Sequence, residues 1–514
     1  MEITAPAPQP LAELEEHRPD VLDCIADLSS EEVFTSPGLA NKMLDELPEW
    51  VWSDPSLRWL DPGCKSGVFL REANRRLMVG LADAIPDPKE RRDHILKEML
   101  WGIAITDLTA KLSRRSLYCS VSATSDYSIG RGLFGHAHGN IFYDEGIRHS
   151  FNKAGHCTVC GAPKSLEAKS RGKAEKHAYA FLHRDSVWEN MKFDVIIGNP
   201  PYQLDDGGHG ASASPIYQLF VEKALDMKPR FVSMIIPARW FAGGKGLDSF
   251  RERMINDRHL SKIVDYPKLF EAFPGVELKG GVCYFLWDSE HDDDCEFVTF
   301  SDGKIVSTAT RDLRVPGDVL IRSNESLSIL KKVQSKKEDP LSKKVSRQKP
   351  FGLRTNFSDY AEKQSKRKNV MLYRRGGIGW ISESQVLKNS AWVDEWKVFL
   401  PMASDGHGRV PAQVLGKAIA AGPATACTET YLAVGPFASR AEADSCAAYL
   451  NGRMARFLVS LRKNTQHTKQ ASFSFVPDLP MDRKKPWTDE ELYKRYDLSE
   501  EEIAHIESTI KAMD

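Results

Sequence analysis

The stretch Phe193-Asp194-Val195-Ile196-Ile197-Gly198-Asn199-Pro200-Pro201-Tyr202 constrains the fold of this chain more than any other. Its short, continuously apolar run has the composition of a strand buried on both faces, as in parallel sheets covered by helices. Gly198 and the two prolines then stop it, because proline continues neither a sheet ladder nor a helix. The pattern predicts a buried strand that ends in a stiff polar lip.

Such a lip suits methylation of an exocyclic amine on a planar ring. The amine is a poor nucleophile because its lone pair is delocalised, so acceptors aimed at its N–H groups favour the form that develops charge. Asn199 supplies a side-chain carbonyl. Pro200 supplies a backbone carbonyl whose direction Pro201 restricts. Tyr202 offers a face on which a flipped ring can stack.

Asn199-Pro200-Pro201-Tyr202 after an apolar strand resembles the catalytic motif of the adenine-N6 DNA methyltransferases of restriction–modification systems. A second stretch, Asp61-Pro62-Gly63-Cys64-Lys65-Ser66-Gly67 ahead of Val68, Phe69, Ala73 and Leu77 at helical spacing, resembles that family's S-adenosylmethionine loop. A strand turning through glycine into a helix brings backbone N–H groups to a ligand at the strand's carboxyl end. Lys65 stands where the family usually has the first of two glycines. Upstream, Thr35 or Ser36 is positioned to cap a helix with Pro37 in its first turn and Leu39, Met43, Leu44 and Leu47 on one face.

The resemblance implies catalytic roles for Asn199, Pro200, Pro201 and Tyr202, and cofactor contacts from Thr35, Asp61, Pro62, Gly63, Gly67 and Asn199. It also points to Thr106 or Asp107 at the end of the next strand, Leu100–Thr106, although Ala104 and Thr106 replace the usual acidic residue. Asn140, in Gly139-Asn140-Ile141, stands where the family more often reads the cofactor's adenine with Asp.

The expected fold is an open, doubly wound, mostly parallel α/β sheet of Rossmann-like type over residues 35–300. Further strands are expected at Arg230–Ile236, Leu260–Tyr266 and Gly281–Trp287, and a helix at Pro215–Met227. The loop Gln203–Ser214, rich in Gly, Asp and Ser, reads as a lid. Residues 1–34 form an acidic leader. A Cys/His-rich insertion spans 117–183, in which Cys157-Thr158-Val159-Cys160-Gly161 has zinc-knuckle spacing. Cys119, expected to end a strand, and His149 are the chosen partners for a structural zinc, with His177 next.

Residues 301–514 read as a separate α+β target-recognition region. Lys343, Lys344 and Arg347 lie in a basic segment, and Arg374 and Arg375 stand between Tyr373 and Trp380, a mixture suited to phosphate and base contacts of double-stranded DNA. Ser439–Leu461 is amphipathic, and Phe473–Pro477 reads as a short strand. Cofactor loop, catalytic motif and long carboxyl-terminal region follow the family's gamma order.

With 514 residues, 41% hydrophobic and 27% charged, the chain has the composition of a globular protein of two or three domains. No run approaches the roughly 20 apolar residues of a membrane span. No secretory signal opens the chain, and its nine cysteines lack a disulfide framework, so the cytoplasm is expected.

The function expected is transfer of a methyl group to N6 of a flipped adenine, with a separate restriction endonuclease as a further partner. An RNA or protein-glutamine methyltransferase, or a DNA-binding subunit without catalysis, are the alternatives. Cutting is not expected: about 34 residues precede Thr35, fewer than a nuclease domain needs for a core. Asp478 and Asp482 are too close in sequence to flank one Mg²⁺ from neighbouring strands.

Overall fold

The computed structural model describes residues 33–144, 146–164, 179–184, 191–203, 214–244, 246–273, 280–315, 319–404, 411–463, 467–482 and 485–513. The acidic leader before 33, most of the Gln203–Ser214 loop and His177 lie outside them. The chain divides into two compact units, Met1–Asp318 and Val319–Asp514.

The first unit is built on nine strands: β1 Trp59–Cys64, β2 Leu100–Ala104, β3 Ile141–Phe142, β4 Val195–Gly198, β5 Phe231–Pro237, β6 Leu260–Tyr266, β7 Val282–Asp288, β8 Cys295–Ser301 and β9 Lys304–Arg311. Their order is β3-β2-β1-β4-β5-β7-β6-β8-β9. From β3 to β5 every pair is parallel; β7 runs antiparallel to both β5 and β6. Helices α1 Pro37–Leu44, α2 Val68–Gly80, α3 Pro88–His94, α4 Asp107–Tyr118, α5 Ala180–His183, α6 Tyr217–Asp226 and α7 Asp248–Asn256 accompany the sheet. β1 and β4 are buried along their whole length, which explains their near-continuous apolar sequence.

The sequence order reverses beside β1: the chain builds outward through β2 and β3, then returns to lay β4 on the other side of β1. In open α/β sheets such a switch point leaves a crevice outside the carboxyl ends of the strands. The two stretches singled out above, Asp61–Gly67 and Asn199–Tyr202, therefore meet there.

The expected boundary at 300/301 falls at the end of β8, inside the β8–β9 hairpin. β8 pairs in parallel with β6, so the hairpin extends the large sheet and belongs to the first unit.

The second unit contains two three-stranded sheets. β10 Val370–Arg374 pairs with β11 Gly377–Ile381 and with β14 Thr425–Cys427, while β12 Trp396–Pro401 lies between β13 Ile419–Ala421 and β15 Tyr431–Phe437. Its helices are α8 Asn324–Ser335, α9 Arg440–Asn451, α10 Arg453–Ser460, α11 Asp489–Arg495 and α12 Glu500–Thr509. The amphipathic Ser439–Leu461 stretch is two helices, broken at Gly452, which leaves the helical region at ψ 154. Phe473–Pro477 is not a strand: a 3₁₀ turn occupies Gln470–Phe473, and only Pro477 bridges, to Pro340.

Candidate functional site

A narrow cleft opens at the switch point, lined by Thr35, Asp61, Gly63, Lys65, Ser66, Gly67, Val68, Phe69 and Asn199. Three separate segments build it, and each reaches the cleft for a local reason.

The first is the turn before α1. Ser36 caps the helix, its hydroxyl accepting from the Leu39 N–H at 3.3 Å, and Pro37 occupies the first turn. Thr35 is thereby left to face the cleft. The second is the loop after β1. Gly67 stands at the N-cap of α2, with φ +75. A Cβ there would lie 2.9 Å from Ser113 Cα on α4. The same helix holds the loop, Ser113 Oγ donating to the Lys65 carbonyl at 3.1 Å and Ser116 Oγ to that of Ser66 at 2.6 Å. The third is the lip after β4. It packs so closely on the loop that a Cβ on Gly63 would touch Pro200 and Pro201 at 3.5 Å, and one on Gly198 would fall 2.7 Å from Asp61 Oδ1.

Asn199 is buried, and its Nδ2 donates to the Val33 carbonyl at 3.0 Å and to Thr35 Oγ1 at 3.1 Å. Two acceptors on the nitrogen side settle which way the carboxamide points. Its Oδ1 has no hydrogen-bond partner among the described residues. A buried acceptor left open at a cleft wall is costly unless something binds there. Tyr202 follows, its phenol pushed well above the ordinary value by burial, and its ring edge-on to Phe273 at 6.5 Å.

Lys65 does not disrupt the turn. Its Nζ reaches across to the Val33 carbonyl at 2.9 Å and lies 5.9 Å from the Tyr202 ring centroid. Asp61 is buried beneath the loop, and burial pushes its carboxyl up to about 7, against the opposing pull of the Gly63 N–H and Lys65.

Other expected cofactor contacts are engaged elsewhere. Thr106 caps α4 in a reciprocal pair with Thr109, and Asp107 pairs with Lys111 at 2.5 Å. Asn140 does not stand free to read a base: its buried Nδ2 donates to the carbonyls of Leu96, Lys97 and Leu100, at 3.1, 2.8 and 3.1 Å. It staples the turn before β2. Pro62 lies on β1 but is not part of the cleft lining.

The zinc expectation needs one correction. His149, Cys157 and Cys160 come together, but Cys119 does not join them. Cys119 ends helix α4 rather than a strand, in the left-handed conformation at φ 60, and is exposed. The fourth member is His183, at the end of α5. Its placement depends on a short helix that no periodicity of that length reveals.

In the second unit, Lys343 pairs with Asp339 at 2.5 Å and Lys344 with Asp478 at 2.9 Å, so both expected phosphate contacts spend charge within the chain. The second pair also occupies the first carboxylate of the rejected nuclease-like match. Arg347 and Arg375 are exposed. Arg374 stacks on Tyr360 at 4.0 Å.

Sequence reasoning missed the roles of the Val33 carbonyl, Ser113 and Ser116. A backbone acceptor carries no side-chain signal, and the two serines are read only once α4 is seen against the loop.

A nine-stranded α/β sheet with a cleft at its switch point, walled in part by Asn199 of the Asn-Pro-Pro-Tyr lip, defines this unit as an enzyme-type binding domain. A family model described as the Eco57I restriction-modification methylase matches residues 98–273, which include that lip. An uncharacterized adenine-specific methylase of Mycoplasma pneumoniae is 38% identical over 304 residues, covering 54% of this chain and 72% of the relative. The chain belongs to the adenine-specific methylases of restriction–modification type.

Among solved structures, the DrdV–DNA complex is similar with a TM-score of 0.47 and 13% identity, covering 87% of this chain and 55% of that one. The type IIL enzyme MmeI in complex with DNA has a TM-score of 0.46 and 13% identity over 86% of this chain and 67% of that one. The chain thus spans about half the length of the DrdV chain. No helix among the described residues is long and apolar enough to cross a membrane.

Proposed function

We infer that this protein methylates N6 of adenine in double-stranded DNA, with the base flipped out of the helix and S-adenosylmethionine as donor. The observation that carries the reading is Asn199: a buried carboxamide held by its nitrogen, with an open Oδ1 on the wall of the cleft. An acceptor so placed is satisfied by the N–H of a target amine, and strengthens its hold as that amine develops positive charge.

The cofactor fits the donor set. Backbone at Gly63 and Gly67, the hydroxyl of Thr35 and the carboxyl of Asp61 suit its methionine end. When bound, it supplies an activated methyl group on a sulfonium. The chain's own residues then orient the acceptor nitrogen, so alignment of the two reactants supplies much of the rate. Asn199 and the Pro200 carbonyl take the amine's hydrogens as acceptors, and Tyr202 stacks on the base. Arg347, Arg374 and Arg375 in the second unit are the proposed contacts to the DNA backbone and bases. Protection of host DNA alongside a separate endonuclease is the biological role the family suggests.

A reading as a DNA-binding subunit without catalysis is favoured by two observations: Lys65 projects into the cleft lining, and Thr106 and Asp107 are engaged in capping and ion pairing. One experiment separates the readings. DNA incubated with the protein and methyl-labelled cofactor, then digested to nucleosides, is expected to yield N6-methyladenine. Cofactor binding without any labelled nucleoside would overturn the catalytic reading.

A further inference from the structure

We propose that His149, Cys157, Cys160 and His183 form a closed, four-ligand Zn²⁺ site that ties the Cys157–Cys160 knuckle to α5, the short helix packed against the helix following the Asn-Pro-Pro-Tyr lip. The four ligand atoms all lie within 4.8 Å of one another. Cys157 Sγ stands 3.5 Å from His183 Nε2, and Cys160 Sγ stands 3.5 Å from His149 Nδ1. A tetrahedral ion with Zn–S of about 2.3 Å and Zn–N of about 2.0 Å holds a sulfur and a nitrogen roughly 3.5 Å apart. These two sulfur–nitrogen separations are those that one shared ion imposes.

The backbone is arranged for the same end. Cys157 and Cys160 sit on a tight turn in which the Gly161 N–H returns to the Cys157 carbonyl at 3.0 Å and Gly161 takes φ +74. The Val159 N–H points at Cys157 Sγ at 3.4 Å, a hydrogen bond that stabilises negative charge on sulfur. His183 Nδ1 lies 3.1 Å from the Tyr179 carbonyl. Donation there places the proton on Nδ1 and leaves the Nε2 lone pair for a metal, the usual outer-sphere arrangement of a ligating histidine. The two imidazoles are edge-to-face, with centroids 5.1 Å apart and planes at 84°.

Two thiolates and two imidazoles in tetrahedral array select zinc over the hard, oxygen-seeking cations. Four protein ligands leave no open position, so the ion is structural rather than a generator of nucleophile. Its effect on the fold follows from α5. Phe181 stacks on Phe220 of α6 at 5.5 Å, and Tyr179 meets the same ring edge-on at 5.6 Å. The chain entering α6 is held by the Ile216 N–H on the Tyr202 carbonyl at 3.2 Å. The ion thus links the knuckle, through α5 and α6, to the segment leaving the lip.

The test is elemental analysis of the full-length protein purified without chelator, with cobalt(II) exchange on the same sample. About one zinc per chain is expected, and the cobalt protein should show intense tetrahedral ligand-field and thiolate charge-transfer bands. Cys157→Ser and His183→Ala should each lose most of the metal, whereas Cys119→Ser should keep it. Chelation of the wild type should lower its melting temperature. Metal-free wild-type protein, weak octahedral cobalt bands, or loss of metal in a Cys119→Ser protein whose circular dichroism matches the wild type would each overturn the proposal; the first two are read on the wild type, and none depends on methylation.

Discussion

Asn199 Nδ2 donates to Thr35 Oγ1 at 3.1 Å, a contact made across 164 residues of chain. The turn ahead of α1 thereby holds the lip carboxamide in one orientation, which leaves its buried oxygen without a hydrogen-bond partner among the described residues. The first two predictions test this arrangement.

Asn199→Ala removes the acceptor proposed to engage the target amine as charge develops. Methyl transfer should fall by at least about a hundredfold in kcat, with DNA affinity little changed. Single-turnover methylation and DNA-binding assays on the same preparation check this, and near-normal kcat would remove Asn199 from the chemistry. Tyr202→Ala should hurt less on a mispaired adenine, because flipping then costs less.

Thr35→Val keeps the shape of the turn but takes away one of the two acceptors that orient Asn199. A loss of about tenfold in kcat, with smaller change in KM for DNA, is expected from the worth of one buried hydrogen bond. Thr35→Ser should restore the rate. A rate loss that serine does not restore would mean that the methyl group, not the hydroxyl, matters at 35.

Gly67→Ala should destabilise the first unit by about 1–3 kcal/mol, since the residue has φ +75 and the new Cβ would press on Ser113 at 2.9 Å. Gly63→Ala is the comparison: its new contacts are at ordinary van der Waals distance, 3.5 Å. Denaturant unfolding of the two variants should rank them in that order.

Asp61 gives the fold a pH dependence of definite sign. Its carboxyl is raised from 3.8 to about 7 in the folded protein, so the native state binds this proton more tightly than the unfolded chain. Stability from this group is whole below the unfolded value and is lost as pH rises through about 7. Asp61→Asn cannot lose a proton, so its melting temperature relative to wild type should climb between pH 5 and pH 8. A constant difference across that range would show that Asp61 does not titrate there.

Arg347→Ala and Arg375→Ala should each lower the log–log salt slope of DNA binding by about 0.9. Lys343→Ala should change it less, because Lys343 already pairs with Asp339 at 2.5 Å. Arg374→Ala should instead relax sequence preference if its guanidinium, stacked on Tyr360 at 4.0 Å, reads bases. Anisotropy titrations at several salt concentrations, on cognate and scrambled duplexes, distinguish these outcomes.

The amino-acid sequence by itself determined the parts of this protein whose signal is local. A run of β-branched and apolar residues halted by Gly198, Pro200 and Pro201 can only be a buried strand with a rigid end. Asp61 to Gly67 ahead of a 3.6-residue apolar period can only be a strand turning into a helix. Both were legible because each is decided by residues a few positions apart. A helix cap at Thr35 or Ser36 and Cys157 with Cys160 on one turn were legible for the same reason; that Ser36 is the cap was decided by the structure.

What only the tertiary structure decided is which distant groups meet. The sheet order sets β4 beside β1, and so joins Asn199 to Asp61 and Gly63. The carbonyl of Val33 became the shared acceptor of Asn199 and Lys65, though a backbone oxygen leaves no mark in sequence. Asn140 looked like a cofactor contact, yet its amide is consumed by three carbonyls at the head of β2. Cys119 and His183 exchanged roles because Cys119 closes a helix facing outward, while α5 brings His183 back to the knuckle. Chain direction and packing fix such pairings, because a side chain's partner is chosen by where its backbone crosses another element, and no pattern within its own segment encodes that crossing.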